Sequence, residues 1–384
     1  MYVSGRGTDG YGTILPAIIE WKRKGSSAGK VVLVGTKGKH SQQALDKAKF
    51  LQELTGVFMD VEVYPNSDET DSKAYIEALD TIEHPACAIV AVPDHFHYEI
   101  TRACLEAGLN TLVAKPFTPT IKEGEYLANL AEKKDLYGAV EFHKRWDRHN
   151  LMMRDVFRDG RIGDPLYCWV EYSQRKSIPE KGFRDWIEHT NPLQYLGVHY
   201  IDIVQFALGA VPVRAMGIGQ RLWLKSKGIN ADDSIQCMIE WEMPSGLSFN
   251  QVMLTNWIDP ENSSAMSDQK IKLVGTTGRF ESDQKERGIR ILSDGKYFEQ
   301  PNPDFCQPYG SGKGNVTWNG YGIDSINSFL KDSAEIYSGE IKLEDLKLNR
   351  PTFRKALIST SVIEAINQSI GDGNSWVKIK NDFI

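Results

Sequence analysis

The sequence predicts an α/β protein, with an N-terminal doubly wound parallel sheet and a C-terminal α+β domain built on a large, mostly antiparallel open sheet. Three observations carry this prediction. Short apolar runs alternate with amphipathic helical stretches from Lys30 to Phe142, the rhythm of βαβ units. A loop with G-x-G-x-x-G spacing (Gly5, Gly7, Gly10) opens the series. Beyond Pro165 the pattern turns to strands joined by tight turns, among them the hairpin signature Met243-Pro244-Ser245-Gly246.

Taken in order, Met1 to Ser4 are too few for a comfortable strand. The glycine loop follows, then a helix from Thr13 to about Lys24 with Ile14, Leu15, Ile18, Ile19 and Trp21 apolar. Pro16 is tolerable there only in the opening turn. In such a loop the first glycine permits a tight turn, the second admits a pyrophosphate and the third lets helix and strand pack closely. Gly5, Gly7, Thr8, Asp9 and Gly10 are therefore the expected phosphate contacts. Lys30 to Val34 is the next strand, and it ends in Gly35-Thr36-Lys37. An Asp or Glu usually stands near that end to accept from the adenosine ribose hydroxyls. Without it, Thr36 and Lys37 can bond and neutralise a 2′-phosphate, which favours NADP(H) over NAD(H).

A helix over Ser41 to Leu54, the strand Val61 to Tyr64 and a helix over Asp71 to Ile82 lead to the unit around which the rest is arranged. Its first strand, Ala88 to Val92, breaks at Pro93 into a loop carrying His95 and His97. An amphipathic helix runs to Gly108, and a second strand, Thr111 to Val113, stops at Ala114-Lys115-Pro116. Both strands are parallel, so their C-terminal ends share one edge, where ligands collect in open α/β sheets. Val92, Pro93, His95, His97 and Lys115 are thus expected at one crevice. A helix over Ile121 to Lys133 and the strand Gly138 to Phe142 close the domain, which we bound at residues 1–145.

In residues 146–384 the expected strands are Pro165 to Ser173, Val211 to Leu222, Asp233 to Glu242, Leu247 to Trp257, Gln269 to Val274 and Arg279 to Ser282. Helices return at Tyr321 to Tyr337 and Pro351 to Ile370, and the Pro/Gly-rich stretch Gln300 to Asn319 reads as an irregular loop. A helix begins at Asn191-Pro192 and stops at Gly209. It places Tyr195, His199 and Asp202 on one face, a phenol, an imidazole and a carboxylate suited to proton transfer.

Composition narrows the partners. The 384 residues are 41% hydrophobic and 25% charged, ordinary for a soluble globular protein. A net charge of −6 without a long basic stretch argues against nucleic acid. The opening MYVSGRGTDG lacks a secretory pattern, and no apolar run reaches the length of a membrane span. Five scattered cysteines without a CxxC pair fit reduced thiols and a cytoplasmic location. His95 and His97 could offer two metal ligands, but no acid or cysteine nearby completes a set, so no metal is expected.

Together, Gly5-x-Gly7-x-x-Gly10, Pro93 with His97, Ala114-Lys115-Pro116, Phe142-His143-Lys144-Arg145-Trp146-Asp147, Gly197-Val198-His199-x-x-Asp202 and the turn Gly275-Thr276-Thr277-Gly278-Arg279 make the chain resemble the glucose–fructose oxidoreductase / inositol dehydrogenase (Gfo/Idh/MocA) family. The resemblance implies a Rossmann domain, a substrate-binding and oligomerisation domain, and hydride transfer between NAD(P) and a carbinol carbon of a sugar or cyclitol. It implies a homodimer or homotetramer. It assigns Lys115 to the family's catalytic lysine and His199 to its acid/base. Ala114 stands where the family has glutamate, and Tyr195 where it has aspartate. Two proton-transfer schemes follow: His199 acts without that partner, or Tyr195 is the acid with its phenol pKa lowered by Lys115. His143, Arg145, Tyr172 and Trp186 join Lys115, Tyr195 and His199 as expected substrate neighbours, with Trp186 suited to stacking on a sugar face. Two other classes stay open: a non-catalytic sugar or nucleotide sensor, and a glycosidase that retains its nicotinamide.

Overall fold

Five short parallel strands form where the apolar runs fall. The computed structural model describes residues 2–5, 10–26, 29–294 and 298–383. In the first half, helices α1 (Ile14–Arg23), α2 (Gly38–Thr55), α3 (Ala74–Asp80), α4 (His97–Glu106) and α5 (Ile121–Lys133) alternate with β1 (Val31–Val34), β2 (Val61–Tyr64), β3 (Cys87–Val90), β4 (Asn110–Ala114) and β5 (Gly138–Glu141). The strands lie in two pieces, a β1-β2 pair and a β3-β4-β5 sheet, both parallel. The three residues before Gly5 form a turn rather than a strand. The Tyr2 carbonyl accepts from Thr13 N at 2.7 Å and that of Val3 from Leu15 N at 3.2 Å, so this segment satisfies the start of α1.

The second half begins with α6 (Arg148–Arg158), whose N-cap Asp147 accepts from His149 N at 3.2 Å. Next come β6 (Pro165–Arg175), α7 (Val198–Leu208), β7 (Val211–Gln220), α8 (Trp223–Ser226), β8 (Ser234–Glu242), β9 (Ser248–Asp259), β10 (Ser267–Gly275) and β11 (Arg279–Asp283). The stretch expected to be irregular holds a small antiparallel pair, β12 (Gln307–Tyr309) and β13 (Thr317–Asn319). The chain closes with α9 (Tyr321–Ser338), α10 (Leu343–Leu346), α11 (Phe353–Gly371) and β14 (Val377–Lys378). Seven strands form one sheet in the order β11-β10-β6-β9-β8-β7-β14. Among the described residues of this sheet only β6 and β9 pair in parallel; the other neighbours are antiparallel.

Strand alternation decides which face of this sheet is covered. Ile235, Cys237, Ile239 and Trp241 of β8, with Phe249, Met253 and Trp257 of β9, point inward and are buried with Tyr200, Ile203 and Val204 of α7 and Leu357 and Ile366 of α11. The intervening residues face outward, and one row across four strands reads Met216, Met238, Val252, Trp169. The C-terminal helices tie the halves together: α11 packs on both β7 and α5, and α9 packs on α1 and on the helical turn His143–Trp146 after β5.

Candidate active site

The crevice is built from the ends of β3, β4 and β5 on one side and the chain leading into α7 on the other. Lys115 follows β4, and its ammonium donates to the Tyr195 carbonyl at 2.5 Å while sitting 3.6 Å from the centre of the Tyr195 ring. Burial of the charge lowers its pKa to about 8, against the raising influence of Asp94 and Glu141. The residue as a whole is half-buried.

His97 braces this arrangement. Its Nδ1 lies 2.8 Å from the Pro116 carbonyl and 3.1 Å from that of Phe117, and its Nε2 lies 3.0 Å from the Val92 carbonyl. The imidazole is fully buried and joins the loop after β3 to the loop after β4. This corrects the expectation that His97 contacts a cofactor, because main-chain carbonyls occupy both nitrogens. Asp94 links the same loop to the second half. Its carboxylate accepts from Thr190 Oγ1 at 2.8 Å and from Gln194 Nε2 at 2.9 Å, next to Tyr195.

Across the crevice the chain enters α7 through a wider-than-α turn. Asn191 Oδ1 accepts from Gln194 N at 2.8 Å, the N-cap its residue type implies. Leu193–Gly197 is π-helical, with Val198 N–H reaching the Leu193 carbonyl, a local winding common at functional sites. At the far end Gly209 adopts φ 71°, the left-handed stop expected of it. His199 is buried, and its Nδ1 has no hydrogen-bond partner. Burial first, then the charges of His143, Lys115 and Lys144, hold its pKa well below the ordinary imidazole value. The ring is therefore neutral, with Nδ1 not engaged by any other group.

A second carboxylate reaches the site from β5. In the sheet register Ala114 pairs with Glu141, so the two side chains project from the same face. The buried Glu141 Oε2 lies 2.7 Å from His143 Nδ1, and Oε1 accepts from Ser325 Oγ at 2.9 Å. The His143 ring in turn lies 4.6 Å from that of His199 and is flanked by Phe305 and Tyr321. Next to it Lys144 is almost wholly buried; Nζ donates to Gln284 Oε1 at 2.7 Å between the Tyr172 and Tyr200 rings. Burial, partly offset by Asp147, lowers its pKa to about 7. Neither Glu141 nor Lys144 was expected at the site from sequence.

The remaining expected residues divide clearly. Arg145 gives Nε and Nη2 to the two oxygens of Asp202 at 2.8 and 2.5 Å, both side chains buried. It therefore anchors the helix bearing His199 instead of meeting substrate, and Asp202 is removed from the proposed proton stripe. Tyr172 is a packing residue, buried edge-on against Tyr200. The Tyr195 phenol is pushed up by burial, with Tyr172 and Asp94 adding to the effect. This runs opposite to the lowered pKa that an acid role needs, because Lys115 addresses the ring face and carbonyl of Tyr195 and burial outweighs its charge. Trp186 is half-buried on Phe183 (centroids 4.4 Å apart), whose edge meets Tyr195. His95 stacks between Phe96 and His189 with Nδ1 buried and unpartnered.

On the cofactor side, Gly7, Thr8 and Asp9 lie outside the described residues. Gly5 has φ 71°, and an added Cβ would stand 2.0 Å from the Gly10 carbonyl, so only glycine fits. Lys47 donates to the Gly5 and Gly10 carbonyls at 3.2 and 2.5 Å, closing the turn, and Gly10 is exposed. A glycine that admits no side chain at Gly5 and an exposed Gly10 fit close approach by a pyrophosphate. Thr36 and Lys37 are exposed at the end of β1. Main-chain bonds from Gly38 N to Glu69 O and Asp71 N to Thr36 O bring an acidic loop beside them. No group of three or more His, Cys, Asp or Glu among the described residues could hold a metal ion, and no helix is long and apolar enough to cross a membrane.

Two family models match the chain: an oxidoreductase family with an NAD-binding Rossmann fold over residues 10–142, and the GFO/IDH/MocA C-terminal domain over residues 150–281. The chain belongs to the Gfo/Idh/MocA oxidoreductase family. Among curated Gfo/Idh/MocA relatives, scyllo-inositol 2-dehydrogenase (NADP(+)) IolW of Bacillus subtilis is 32% identical over 39% of this chain and 40% of its own length. Inositol 2-dehydrogenase of Rhizobium meliloti is 23% identical over 64% of this chain and 73% of its own. The chain thus spans about two fifths of the length of the first of these. Scyllo-inositol dehydrogenase from Lactobacillus casei, solved with NAD(H) and scyllo-inositol, shares the Gfo/Idh/MocA fold at a TM-score of 0.66, with 14% identity and 95% of each chain covered.

Proposed function

We propose that this protein catalyses reversible alcohol–ketone oxidoreduction at a carbinol carbon of a sugar or cyclitol, using NADP(H) or NAD(H). The observation that carries the reading is that the Lys115 charge acts on the buried His199 imidazole. One is an ammonium with its pKa near 8; the other is a neutral imidazole with an unpartnered Nδ1. When bound, the cofactor takes or gives the hydride. Gly5 and Gly10, with Gly7, Thr8 and Asp9, would hold its pyrophosphate; Thr36 and Lys37 would meet the adenosine end; Val92, Pro93, His95 and Lys115 would line the nicotinamide end. Lys115 hydrogen-bonds the reacting oxygen. In oxidation, with the bound cofactor as the hydride acceptor it would supply, His199 would take the hydroxyl proton as C=O forms. Reduction returns both.

Glu141 supports Lys115 in place of the missing glutamate at Ala114, and positions His143 against His199. Trp186 offers a face for a sugar ring. The inositol dehydrogenase activities of these relatives support the substrate class. Residues 1–145 form the dinucleotide-binding unit and residues 146–384 the substrate and oligomerisation unit. The outward row Met216, Met238, Val252 and Trp169 is covered by a second copy. The five thiols, none in a disulfide, suit the cytoplasm.

Lys115→Ala tests the reading. Turnover should fall at least about a hundredfold with cofactor affinity kept, since a positioned proton-transfer group contributes that much. Unchanged turnover across a sugar and cyclitol panel excludes this mechanism.

A further inference from the structure

We propose that the cavity between α6, the end of α7 and the start of α11 is a second small-molecule site, taking a multiply charged oxyanion such as a phosphorylated metabolite. It offers about 460 Å³, within the range of ligand sites. Its walls carry Arg145, Arg154, Arg158, Arg350 and Lys355 and no acidic side chain. Arg145 and Arg350 each commit Nε and Nη2 to one carboxylate, Asp202 and Asp332 respectively. Each keeps an Nη1 group that bonds nothing among the described residues. Arg154 engages Asp155, which is itself mostly exposed. Arg158 and Lys355 have no carboxylate partner among the described residues; Lys355 Nζ donates only to the Leu348 carbonyl, at 2.5 Å.

The charges are also crowded. The Phe206 ring takes the Arg145 guanidinium at 5.0 Å and that of Arg154 at 5.4 Å. Burial and the neighbouring Arg145 lower the Lys355 pKa to about 8, partly offset by Asp202. An oxyanion would relieve this repulsion and accept from guanidinium edges that have fixed, bidentate geometry. The net charge of −6 and the modest volume favour a small anion over a nucleic-acid strand. The cavity is separate from the crevice: Arg145 and Trp146 line it, while His143 of the same turn faces His199.

The test is calorimetric titration of the full chain with pyrophosphate at constant ionic strength, with and without saturating NADPH. The expected result is one-site binding, with Kd below about 1 mM, that survives NADPH and weakens at least about tenfold in Arg158→Ala and in Lys355→Gln. Arg158 is exposed at a helix end, so its replacement leaves folding intact. Absence of saturable binding overturns the proposal. So does binding that NADPH abolishes and Arg158→Ala leaves unchanged, which would place the anion on the glycine turn. Loss of turnover in Lys115→Ala bears on the crevice alone and leaves this outcome untouched.

Discussion

Replacing Lys115 by methionine should stabilise the protein at neutral pH while stopping the reaction. The ammonium is held at a pKa of about 8 against an ordinary 10.5. At 1.36 kcal/mol per unit, that gap is a ceiling of about 3 kcal/mol charged against the folded state. Two effects reduce it. The residue is only half-buried, and methionine cannot donate to the Tyr195 carbonyl, a loss of roughly 1 kcal/mol. A net gain of about 1–2 kcal/mol remains at pH 7. The folded pKa lies below the unfolded one, so between about pH 8 and 10.5 the unfolded chain binds more protons and wild-type stability rises with pH. The penalty is complete below about pH 8 and gone above 10.5. Urea unfolding at pH 7 and pH 10 reads the difference directly. A variant less stable than wild type at pH 7, or one whose advantage is the same at both pH values, refutes the assignment of a desolvated charge.

Other substitutions separate the remaining roles. Tyr195→Phe should keep near-normal turnover, whereas His199→Asn should lose about 10²- to 10⁴-fold; the reverse order in steady-state kinetics would restore the phenol as the acid. Arg145→Met strands the buried Asp202 carboxylate and should cost about 3–5 kcal/mol in denaturant unfolding. The double variant with Asp202→Leu should recover most of it, and failure to recover would show that packing, not charge, is what Arg145 supplies. Lys37→Ala should weaken NADPH about tenfold and leave NADH alone, measured by fluorescence titration. Equal losses would mean that Lys37 does not read the 2′-phosphate, and the acidic loop at Glu69 and Asp71 is the physical reason to expect only a modest preference.

Much of the fold is written locally. The strands β1 to β5 are apolar runs bounded by Gly, Pro or polar turns, and Ile121–Lys133 begins at Thr120, whose hydroxyl accepts from Glu123 N. Lys115 stands out because a strand ends there and a proline follows. Glu141 does not, because its meaning rests on facing Ala114 across a sheet, a pairing 27 residues apart that no linear pattern marks. Lys144 reads as one more surface cation until Tyr172, Tyr200 and Gln284, from three distant elements, enclose it. The helix α6 is masked by Arg148, His149, Arg154, Asp155 and Arg158, although Asp147 at its N-cap and Leu151, Met153 and Val156 within it were readable. Tyr195 misleads for a related reason. Its ring does reach the site, at Lys115, but the direction of its pKa depends on how deeply the phenol is buried.

The imidazole of His97 makes two loops one mechanical part. Because the Val92, Pro116 and Phe117 carbonyls share that one ring, the segment expected to meet a nicotinamide and the segment that aims Lys115 cannot drift independently. The conformational freedom of both is given up when the chain folds, not when a dinucleotide arrives, so a ligand settling against Val92 finds the lysine already in position.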